Sequence, residues 1–83
     1  MATDITPAEL KAARRALGFS AEGFARFVEV ESGRTVRRWE AGERDIPGPV
    51  KVLTRALLES AAVRRFFGVT LKSDDDKRDT PAS

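Results

Sequence analysis

The sequence predicts an all-α domain: a compact five-helix bundle followed by a polar tail. Three observations carry that expectation. Glycine and proline divide the chain into segments, and each segment between them reads as helix. Thr6, Ser20, Ser32 and Ser60 stand at the heads of four of these segments, where a helix start needs a side-chain oxygen. Residues 33–41 set three arginines on one face and Val36 and Trp39 on the other, as in a helix lying between core and solvent.

The first helix is expected over about residues 7–17. Thr6 caps it, Pro7 suits its first position, and Glu9 completes a capping box. Leu10, Ala13 and Leu17 form its apolar stripe, and Gly18 ends it. The second helix, about 21–28, starts at Ser20, with Glu22 near its positive end. Phe24, Ala25, Phe27 and Val28 supply its buried face. Gly23 lies inside it at a cost of about 1 kcal/mol relative to Ala, and either admits a neighbouring backbone or has no role. Residues 29–31 form a turn in which Val30 points back to the core. Ser32 is expected to cap the third helix, about 33–41, and Gly42 to stop it. A loop over 43–48 is anchored by Ile46. Pro49 opens a fourth helix, about 49–59, on which Val50, Leu53 and Leu57 share a face. Ser60 restarts a short fifth helix, about 61–67, closed by Gly68. The ordered domain is expected to be 1–72, and the acidic tail 73–83, with Asp74, Asp75 and Asp76, to be disordered.

Composition bounds the function. Eighty-three residues make one domain near the low end for an unaided core. There is no Cys, which suits a reducing compartment, and no His, which removes the usual general base and the commonest metal ligand. No Asp/Glu pair stands in a recognisable catalytic spacing, so an enzyme is the weakest reading and no cofactor or metal is expected. No apolar run is long enough to span a membrane, and the first residues lack a secretory pattern; the chain reads as an intact cytoplasmic protein. Net charge is +2, but unevenly spread: residues 1–72 carry +4 and the tail −2. The domain is therefore more basic than the total suggests, which favours polyanions without requiring them.

The third helix carries the chemistry. At about 100° per residue, Arg34, Arg37 and Arg38 fall within roughly 100° of one another, opposite Val36 and Trp39. Guanidinium forks match the paired acceptors of guanine and also phosphate oxygens. An amphipathic surface helix with solvated arginines would show the same pattern. Two helices joined by a tight turn, the second displaying arginines, is a helix-turn-helix reading. The pattern resembles the Cro and phage-repressor class of helix-turn-helix domains, also called the Xre class. The resemblance covers roughly residues 6–60. It rests on Leu17-Gly18-Phe19-Ser20, Phe24-Ala25, Val28 and Val30 flanking the turn, Thr35-Val36, Arg38-Trp39-Glu40-x-Gly42, and Ile46-Pro47-Gly48-Pro49-Val50 entering the fourth helix.

The resemblance implies a lambda-repressor-like bundle that binds double-stranded DNA in the major groove. It also implies a structural pair between Arg14 and Glu40, joining the first helix to the third. Three departures stand out. Ala21 occupies a position where the class usually has a polar residue, often Gln. Glu29 stands where the turn usually has Gly. The junction Val30-Glu31-Ser32 is one residue longer than usual, as in some antitoxins of the class, and is expected to relieve the turn geometry that Gly would serve.

Arg34 and Arg38, one turn apart, are the first candidates for base edges; Arg37, at the flank, reaches a base or a phosphate. Ser32, Thr35, Arg44 and Lys51 are candidate phosphate ligands, with a solvated charge the alternative for the last two. Trp39 is assigned to the core, and Arg64 and Arg65 to the surface. Phe66, Phe67, Val69 and Leu71 are more apolar than a chain end needs and are the expected seam of a homodimer. The reading is a sequence-specific transcriptional regulator, a repressor or autorepressor dimer on a palindromic operator, in a phage, prophage or plasmid setting. The rival is a protein-interaction module, antitoxin-like, that binds a toxin or another protein through the same scaffold.

Overall fold

The computed structural model describes residues 4–72, so the expectation for the 73–83 tail lies outside the described residues. Within them run five α-helices and no strand: α1 (Pro7–Ala16), α2 (Ala21–Phe27), α3 (Gly33–Glu40), α4 (Gly48–Glu59) and α5 (Ala61–Phe67). Local chemistry accounts for their starts. Thr6 Oγ1 accepts from the Glu9 N–H, and Glu9 returns the bond to the Thr6 N–H, closing the capping box. Ser20 accepts from Gly23 N–H, and Ser60 from Val63 N–H. Ser32 holds the N-cap position of α3 in extended backbone, but its hydroxyl makes no capping bond there. Among the described residues no helix is long and apolar enough to cross a membrane.

Helices α1 to α4 each turn an apolar stripe to a common centre. Leu10 of α1, Phe24 and Ala25 of α2, Val36 and Trp39 of α3, and Val50 of α4 pack with Ile5 and Ile46 from the flanking segments. Leu10, Phe24, Val36 and Leu57 are fully buried. Burial of such a side chain stabilises by roughly 1.5–3 kcal/mol before the entropy of ordering is counted. α2 and α3 make the most extensive helix–helix contact, α1 packs on α3 and α4, and α4 on α5. Phe27, Val28 and Leu53 are only half-buried.

Arg64 corrects the sequence reading. It is buried, 8% exposed, and donates to the carbonyls of Leu57 (2.7 Å) and Leu58 (3.1 Å). These belong to the last turn of α4, whose carbonyls lack helical partners and carry the negative end of the helix dipole. The guanidinium satisfies them, which is why a charge is tolerated there. Arg65 is exposed. Thr54 is fully buried on α4, and its hydroxyl has no hydrogen-bond partner among the described residues.

Four helix ends use one device. A residue at or just past the C-cap bonds back three positions and the next bonds back five, with the first of the two in the left-handed conformation. At α1 these are Gly18 to Arg15 and Phe19 to Arg14; at α3, Gly42 to Trp39 and Glu43 to Arg38; at α5, Gly68 to Arg65 and Val69 to Arg64. At α2 the same bonds run from Glu29 to Arg26 and from Val30 to Ala25. Glycine holds the left-handed position in three cases; at α2 it is Glu29, at φ 62°. The lengthened junction therefore does not relieve the turn, contrary to the sequence expectation: the extra residue lies beyond the left-handed position and leaves it in place.

A non-glycine residue in that conformation costs about 1–2 kcal/mol, of which glycine's greater chain entropy returns about 0.5–1. Glu29→Gly is accordingly expected to stabilise the domain by up to about 1 kcal/mol, raising the melting temperature by a few degrees. Thermal unfolding followed by circular dichroism measures it.

Candidate functional site

The helix that carries the arginines is held by its other face. Val36 is fully buried and Trp39 is 3% exposed, so Trp39 belongs to the core. Glu40, in the last turn of α3, receives the Arg14 guanidinium on both oxygens, Nε to Oε2 at 2.6 Å and an Nη to Oε1 at 3.1 Å. Another Nη of Arg14 donates to the Phe19 carbonyl at 3.0 Å, while the Phe19 N–H returns to the Arg14 carbonyl. One arginine thus ties α1, the entry to α2 and the end of α3. Both side chains are nearly excluded from water, at 10% and 6% exposed.

The other end of α3 is set by a close approach. A Cβ on Gly33 would lie 2.5 Å from Glu22 Oε2 and 3.0 Å from the Glu22 backbone nitrogen. Only the absence of a side chain lets the start of α3 sit this tightly on α2. Gly23, by contrast, meets only the Ser20 hydroxyl and the Phe19 ring, so the glycine that admits a neighbouring backbone is Gly33. Periodicity does not distinguish the two, because Gly33 looks like part of a helix start.

With both ends held, α3 turns Arg34 outward as an exposed side chain, with Arg38 half-buried one turn on. Neither has an ion-pair partner among the described residues. Arg37 lies at the flank, exposed, with Glu22 at 3.9 Å, a loose contact in water. Ser32 and Thr35, both half-buried, sit at the N-terminal end of the same helix. Ala21 is buried and has nothing to extend toward a ligand.

Beyond the C-terminus of α3, Arg44 and Lys51 line one open cleft of about 510 Å³ together with Asp45. Arg44 is exposed, and its N–H and that of Glu43 both point to the Arg38 carbonyl. Lys51 is not free: its ammonium donates to Asp4 Oδ1 at 2.8 Å. That hydrogen bond first, and the ammonium charge second, hold the Asp4 carboxyl below the ordinary aspartate range. The sign follows: the contact's contribution is present above the ordinary aspartate pKa and fades as pH falls through the lowered value. Asp4 is exposed, so the pair leaves Lys51 exchangeable with another anion. Sequence order hides this pairing, because the two residues are far apart in the chain.

The four seam candidates do not lie alike. Phe66 is 81% exposed and Phe67 44%, while Val69 and Leu71 are half-buried. Phe67 stacks edge-on against Phe27 of α2, and Phe66 against Phe67, with ring centroids 5.3 and 4.9 Å apart. Phe27 in turn meets Phe19, and Phe19 meets Phe24, so a line of rings runs from the core to the surface. Comparison with family models, curated proteins and solved structures finds no match to this chain.

Glu40→Ala leaves the Arg14 charge buried with two of its three hydrogen bonds gone. The expected loss is about 3–5 kcal/mol, a large share of what a small domain has, whereas Glu40→Gln, which keeps one acceptor, is expected to lose less. Urea unfolding of the two variants beside the wild type tests the order.

Proposed function

We propose that the protein is a sequence-specific DNA-binding regulator in which α2 and α3 act as a helix-turn-helix and α3 lies in the major groove. The observation that carries the reading is the division of α3: Val36, Trp39 and Glu40 anchor one side, while Arg34 and Arg38, on the other, have no carboxylate partner among the described residues. A guanidinium fork can donate to guanine O6 and N7 at once, and a rigid helix holds the two forks one turn apart. Ser32, whose hydroxyl makes no capping bond, and Thr35 would donate to phosphate at the start of the helix. Arg44 would hold the backbone at its other end, with Lys51 joining by exchanging Asp4 for a phosphate oxygen.

A single domain of this size reads few base pairs, too few to discriminate against a genome of competing sites. The reading therefore includes a two-fold dimer on a palindrome, its half-sites about one helical turn apart. The exposed Phe66, with Phe67 beside it, supports a contact at the end of α5. Bound to an operator, such a dimer would repress by excluding polymerase, and would suit an autorepressor.

Salt-dependent gel shifts against random and promoter duplexes test the binding. Arg38→Ala is expected to lose about 1–3 kcal/mol on the selected duplex, roughly ten- to a hundredfold, and to relax preference at one or two positions. Wild-type affinity and selectivity in that variant would remove Arg38 from the groove.

Phe66→Glu is expected to fold normally, because the ring is mostly in solvent, while weakening self-association and binding to a palindrome. Sedimentation with and without the duplex reads both. A rival role, docking a different protein through the same rings, predicts that the variant leaves assembly and DNA affinity unchanged.

A further inference from the structure

Between α1 and α3 lies an open cleft of about 500 Å³ that the apolar pattern of α1 does not announce. Lys11 and Arg15 of α1 and Arg37 of α3 line it, above the Arg14–Glu40 pair. Lys11 and Arg15 stand four residues apart, so the helix sets them on one side. Both are exposed, and neither has an ion-pair partner among the described residues. Arg37 has only the loose contact to Glu22 at 3.9 Å. The one carboxylate that lines the cleft, Glu40, has both oxygens on Arg14. Ser20 also lines it; its oxygen accepts from Gly23 N–H, and its own O–H remains to donate.

Three cations therefore face one concave space, and among the described residues their only carboxylate contact is the loose one from Arg37 to Glu22. Charges of one sign in a cleft repel each other and focus the field on an incoming anion. We propose that this cleft binds a phosphate group, a phosphodiester of the strand bordering the groove that α3 enters, so that α1 grips the backbone through Lys11 and Arg15. The inference rests on the DNA reading of α3. It also resolves the two roles open to Arg37: with its side chain in the cleft, it contacts the backbone and does not read a base.

The test is the double variant Lys11→Ala/Arg15→Ala, with helical circular dichroism checking that it folds. Wild type and variant are titrated on a random and on a selected duplex over a range of salt. The expected result is an affinity loss by the same factor on both, and a slope of log K against log salt shallower by about one for each phosphate that the variant no longer neutralises. Unchanged affinity and slope on both duplexes would overturn the proposal while leaving the DNA reading intact. A loss confined to the selected duplex would also overturn it, since that is the mark of base reading. If the wild type binds neither duplex, the DNA reading has failed separately, and inorganic phosphate then probes the cleft. Saturable shifts of the Arg15 and Arg37 Nε–H signals in nitrogen-15 spectra would keep it as a site for a phosphate-bearing anion; unmoved signals would overturn it.

Discussion

The contact between Arg14 and Glu40 is the joint on which the rest of the arrangement depends. All three guanidinium nitrogens are used: two bonds go to one carboxylate and one to the Phe19 carbonyl. Such a buried pair adds little net stability over an apolar core, but it penalises any packing that leaves either charge alone. Its partners lie on three successive parts of the chain, so it specifies how α1, the start of α2 and the end of α3 meet. The exposed face of α3 points where it does because Glu40 points inward.

The junction between α2 and α3 is built tightly and at some cost. Glu29 adopts a conformation that the other three helix ends of this kind give to glycine, and Gly33 brings α3 against the Glu22 backbone. The hydrogen bonds of Glu29 and Val30 to the end of α2 hold the strained residue in place. Strain of this sort persists only where the surrounding packing over-determines it. Here the packing is the α2–α3 interface, the largest between helices in the described chain.

The cations fall into three groups. Arg14 and Arg64 are structural: each is buried and satisfies backbone carbonyls, and Arg14 a carboxylate as well. Lys51 and Arg55 have exposed carboxylate partners on Asp4 and Glu59. Lys11, Arg15, Arg34, Arg38 and Arg44 have none among the described residues. A small net charge thus coexists with a local excess around α1 and α3, and it is this local field that the proposed polyanion partner would meet.

The all-α class and the five helices were legible because each start and stop is a local event. A capping hydroxyl, a proline in the first turn or a glycine beyond the last turn acts on backbone groups within a few residues. Trp39 was legible for a related reason: a helix face is fixed by spacing, and its apolar side has to be covered. Ser32 shows the limit of the same logic, since it stands at the cap position without making the bond. What the spacing could not decide is which polar groups meet across the bundle. Arg64 and Arg65 are adjacent and chemically identical, yet one closes the end of α4 and the other faces solvent. Gly33 and Gly23 differ in the same way, one against a neighbouring backbone and the other beside its own helix cap. Hydrogen bonds within a turn follow from sequence, because their partners are fixed by covalent distance. The pairing of Lys51 with Asp4, the strain at Glu29 and the convergence of Lys11, Arg15 and Arg37 come from where whole helices come to rest, which only the packing of the core decides.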